Sequence, residues 1–121
     1  MIANEKKILA VQAAKTAVVQ LASDVATVCA TVQSAGFETE ISSLAKETSE
    51  LALQASYGAK NASGLNLRDI EQLSALVSRL SNLIMRQKMQ NPLVSSDLVN
   101  RASLAEKDAY AAVSLTEKAQ K

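Results

Sequence analysis

Val11, Ala14, Val18, Leu21, Val25, Val28 and Val32 recur in alternating three- and four-residue steps, the spacing of one stripe along a helix. A two-residue period would scatter Val18, Leu21, Val25 and Val28 over both faces of a strand, so the register selects helix despite the many β-branched residues. Ala22, Ala26 and Ala30 form a second line at four-residue spacing, and Val19 lies off the seam. Apart from Cys29, the rest of this stretch is Ala, Thr, Ser and Gln, and between Lys15 and Gly36 the single formal charge is Asp24. A surface helix ordinarily carries a charged outer face. This one is expected to be covered on more than one side, by its own bundle or by other copies.

The same periodicity continues down the chain and predicts helices over about 4–35, 39–62, 67–90 and 96–120. Gly36 is suited to the left-handed conformation that ends a helix. The second helix is expected to start at Thr39 as N-cap, with Glu40 against its positive end. Its seam is Phe37, Ile41, Leu44, Thr48, Leu51, Ala55 and Gly58. Leu53 and Tyr57 sit four apart on another face, as a flank of the core or an exposed apolar spot. The third helix opens with Asn66 as N-cap and Leu65 with Ile70 at staple spacing. It presents a broad aliphatic face of Ile70, Leu73, Leu76, Val77, Leu80, Leu83 and Ile84, and Asn91-Pro92 stops it. In the fourth, Ser95 caps, Asp97 is placed to pair with Arg101, and the stripe is Leu98, Ala102, Ala105, Ala109, Ala112, Thr116 and Ala119. Leu104, Ala111 and Leu115 make a second apolar line.

Helices of about 24 residues are roughly 36 Å long, and short loops make sequential neighbours antiparallel. The expected fold is therefore all-α in one domain over residues 1–121. It is either an up-down-up-down bundle of four long helices or two helical hairpins completed by neighbouring subunits.

Composition narrows the chemistry. The chain is 48% hydrophobic but 2% aromatic, so its core must be built from Ala, Val, Leu and Ile, which favours close helix packing over a large pocket. A net charge of +1 gives no electrostatic footprint for nucleic acid and no polybasic face for anionic lipid. With no His in the chain, the commonest general base and metal ligand is missing. Glu47, Glu50, Glu71, Glu106 and Glu117 fall mostly off the seams, so no metal site or cofactor is expected. Cys29 has no cation at helical spacing to activate it and reads as a small buried hydrophobe. The stretch Gly58 to Gly64 lacks the spacing of a phosphate loop. Tyr57 and Tyr110 are expected either to anchor an interface or to cap core edges. Lys15, Gln20, Asp24 and Gln33 interrupt the best candidate for a transmembrane segment, and no cleavable leader is recognisable. The expected location is cytoplasmic, or outside the cell by a leaderless route.

These features point away from an enzyme and toward a structural subunit that associates with other copies of itself into a homo-oligomer or filament. The candidate interface is Val19, Ala22, Asp24, Ala26, Ala30, Leu53, Tyr57, Leu104 and Leu115. Asp24 would either keep the helix soluble or pair with a Lys or Arg of another copy. The alternative is a helical-bundle binding module, an adaptor, chaperone or inhibitor, that offers a groove to a heterologous protein.

Overall fold

A computed structural model describes residues 2–61 and 64–120, with side chains from Glu5 onward. Four helices, α1 (Ile2–Ala35), α2 (Thr39–Lys60), α3 (Leu67–Gln90) and α4 (Ser96–Ala119), account for nearly all of it, and no strand is present among the described residues. They form an up-down-up-down bundle. α1 packs against both α2 and α4, α3 against α4, and α2 against α3 over a smaller contact. Bonds between helices mark the antiparallel sense. Cys29 Sγ donates to the Ala45 carbonyl and Gln33 Nε2 to the Ser42 carbonyl, so numbers rise on α1 as they fall on α2. The bundle closes within one chain, which answers the choice between bundle and open hairpins.

The helix ends follow local chemistry. Gly36 takes φ 71° beyond α1. Asn66 accepts from the Asp69 N–H, and Ser95 Oγ accepts from Asp97 and Leu98. Arg101 Nε donates to Asp97 Oδ2 at 2.7 Å. Two expectations need correction. The N-cap of α2 is Glu38, not Thr39, and no side chain bonds the first N–H groups there. α2 ends at Lys60, where Asn61 turns its N–H and Nδ2 back onto the Tyr57 carbonyl; the expected extension to Ala62 lies outside the described residues.

The core is aliphatic and close-packed. Every member of the α4 stripe is buried, as are Ala14, Val18, Leu21, Val25, Val28 and Val32 of α1. α2 and α3 bury more than their predicted seams: Ala45, Ala52, Ser56 and Ala59 on α2, and Ser74 and Ser81 on α3. These small residues let the helices approach closely. A void of about 10 Å³ between Val25, Thr48, Leu80 and Ala105 is at the limit of holding one water. No internal chamber for a ligand opens there.

By length and composition alone, α1 over Glu5–Ala35 is apolar enough to cross a membrane, which corrects the reading that its polar interruptions forbid this. A mostly buried core helix meets the same criterion, but only 22% of the most apolar window of α1 is buried; its apolar stripe packs against α2 and α4 while its other side stays open.

Candidate self-association surface

The outer face of α1 is the unusual surface of this molecule. From Gln12 to Ala35 its exposed residues are Gln12, Ala13, Thr16, Gln20, Ser23, Ala26, Thr27, Ala30, Gln33, Ser34 and Ala35. None carries a formal charge. Much of the hydrogen-bonding capacity of this face is also spent within the chain. Thr27 Oγ1 donates to the Ser23 carbonyl, Thr31 Oγ1 to Thr27 and Ser34 Oγ to Thr31. Gln20 Nε2 donates to Asp24 Oδ1, and Gln33 Nε2 to the Ser42 carbonyl. A covered hydroxyl or amide is costly when its donor is left without a partner. These donors already have one, so the face is less polar in effect than in composition.

Beside this ridge runs a groove of about 530 Å³ between α1 and α2, with Ala26, Cys29, Ala30 and Gln33 on one bank and Lys46, Ser49 and Glu50 on the other. Helical spacing extends both banks. Val19 and Ala22 continue the Ala26–Ala30 line, and Leu53 and Tyr57 continue the Lys46–Glu50 line. Leu53 is 66% exposed and Tyr57 70% exposed. Leu53 is thus an exposed apolar spot rather than a flank of the core, and Tyr57 does not cap a core edge. Val19 and Ala22 are half-buried against the core, while Ala26 and Ala30 are exposed.

The remaining predicted residues fall elsewhere. Leu104, 52% exposed, and the half-buried Leu115 share a face of α4 with Asp108. Asp24 is half-buried, accepts a hydrogen bond from Gln20 Nε2 and lies beside Asp108 of α4. Tyr110 is exposed too, its hydroxyl 3.0 Å from Ser78 Oγ across the α3/α4 groove. The Asp24–Asp108 contact is a feature that the sequence pattern did not reveal.

Burial pushes the Cys29 thiol up to about 11, against the smaller opposing effect of the Ser49 backbone N–H, which keeps it protonated and unreactive at neutral pH. No group of three or more His, Cys, Asp or Glu residues is placed to hold a metal among the described residues. Ion pairs there comprise Arg79–Glu40 at 3.9 Å and Arg101–Asp97, both exposed.

No protein-family model matches this chain, and no curated protein or solved structure is significantly similar to it.

Proposed function

We propose that this chain is a non-enzymatic structural subunit that associates with other copies of itself, using the α1 ridge and the α1/α2 groove. The observation that supports this reading is the exposed face of α1, which carries no charge and on which Gln20, Thr27, Gln33 and Ser34 already donate within the chain. Covering the exposed residues of this ridge strips water from no ion, the step that makes burial of an ordinary charged surface costly; the charges beside it are the half-buried Lys15 and, on the α2 bank, Lys46 and Glu50. Ala26 and Ala30 add no bulk, so a second helix can approach to the close end of the usual 8–10 Å.

Size decides how much of the surface must take part. The ridge from Gln12 to Ala35 is roughly 36 Å long and 10 Å across, less than the ~800 Å² per partner of a standard interface. Leu53 and Tyr57 on the α2 bank therefore have to join it. A self-complementary contact closes a dimer, whereas a head-to-tail contact that does not close builds a filament.

Ala26→Glu and Ala30→Glu place a carboxylate on the ridge without touching the core. Sedimentation velocity and negative-stain microscopy should find particles larger than one chain for the parent and single chains for both variants, with unchanged helical circular dichroism. Variants that assemble as the parent does would show that another face is used.

A second reading rests on Leu53 and Tyr57 alone: a binding module that takes a heterologous helix in the same groove. It predicts a parent that stays monomeric by itself and a partner released by Leu53→Glu.

A further inference from the structure

Where α1 meets α4, two acids face each other. Gln20 Nε2 donates to Asp24 Oδ1 at 3.1 Å. The other oxygen, Asp24 Oδ2, is shut off from water and has no donor among the described residues. Across the seam, the Asp108 carboxyl of α4 is close enough to the Asp24 carboxyl for a hydrogen bond between the two side chains. Two ionised carboxylates cannot make such a bond, because neither has a hydrogen to give. A proton on one of them turns the contact into a bond, in a site where one Asp24 oxygen is buried without a donor. We propose that Asp24 and Asp108 hold one proton between them and act as a pH-sensitive latch on the α1/α4 seam.

The surroundings offer no cation to replace that proton. On α1 the nearest charged residue is Lys15, about two and a half turns away. On α4, Lys107 is exposed and Glu106 half-buried, and the Arg101 guanidinium is held by Asp97. α2, on the far side of α1, carries its charges Glu40, Lys46, Glu47, Glu50 and Lys60 in exposed positions. α3, on the far side of α4, has Arg79 paired with Glu40. Among the described residues no Lys or Arg nitrogen lies within 4.0 Å of either acid. The bond with Asp24, then burial, then the Asp24 charge raise Asp108 from 3.8 to about 6.

The sign follows from linkage. An acid whose folded pKa lies above its unfolded value keeps its proton longer in the folded state. Stability is then greatest below the unfolded value and falls as pH rises through the folded one. Here the fall spans about 4 to 6, and above it two negative charges sit side by side across the seam. One proton is worth at most a tenfold change in the folding equilibrium per pH unit, less where water screens a half-exposed pair.

The latch does not depend on self-association and is tested apart from it. Urea unfolding of the parent should show the folded fraction weakening by several-fold between pH 4.5 and 6.5. Asp108→Asn and Asp24→Asn, each removing one of the two charges, should flatten that slope and resist urea better than the parent at pH 7.5. The parent's carboxyl titration, followed by carbon NMR or by infrared absorption if particles form, should place one aspartate midpoint near 6. Stability that is level or rises with pH, Asn variants with the parent's slope, or all aspartates titrating near 4 would overturn it. The titration alone decides the matter should an Asn variant fail to fold.

Discussion

α1 and α3 bury similar aliphatic faces and turn opposite kinds of surface outward. Between Arg68 and Gln90, α3 exposes Arg68, Glu71, Gln72, Arg79, Asn82 and Arg86 along with Ala75, Met85 and Met89. This is the mixed, charged exterior of a helix adapted to water. α1 exposes small and amide side chains without an ion over a comparable length. The burial that holds the bundle together therefore cannot explain the difference, because both inner faces are fully used. What separates the two helices is the cost of being covered from outside, high for α3 and low for α1.

Core truncation is the strongest way to test that the inner faces are alike. Leu21→Ala in α1 and Leu73→Ala in α3 remove side chains that are both 0% exposed. Each should cost about 2–5 kcal/mol of unfolding free energy by urea titration. A cost confined to one helix would mean that the two are not equal partners in the core. Helix starts come next. Ser95→Ala removes an oxygen that accepts two N–H groups at the head of α4 and should lose about 1 kcal/mol. Thr39→Ala should lose far less, because Thr39 caps nothing in α2.

Outer-face charges should barely move stability, within about 0.5 kcal/mol, and here the two helices should diverge in another readout. Ala75→Glu on α3 should leave the assembly state untouched, whereas Ala26→Glu on α1 should abolish it. Equal effects from the two substitutions, seen by light scattering, would erase the distinction drawn between the faces.

Much of this was legible in the residues. The α4 stripe from Leu98 to Ala119 is buried member by member, because a single apolar line at alternating steps leaves one rotation of the helix that buries it. The caps at Asn66 and Ser95 were equally readable, since they depend on neighbours within one turn. The second buried lines were not. Ala45, Ala52 and Ala59 on α2, or Ser74 and Ser81 on α3, become core only when a second neighbouring helix arrives, and a small side chain does not declare that it will be covered. Leu53 shows the reverse, a large apolar residue that no neighbour reaches. The Asp24–Asp108 contact was invisible for a different reason. Like charges read from sequence predict avoidance, and only the register between the first and last helices brings these two acids together across 84 positions of chain.

The claim beneath the comparison is that the uncharged α1 ridge is covered by another copy in solution. Sedimentation velocity of the parent chain from low to high micromolar concentration measures this directly. The account predicts boundaries that move faster as concentration rises, well beyond the 12.8 kDa of one chain. A single species of that mass across the whole range would contradict it.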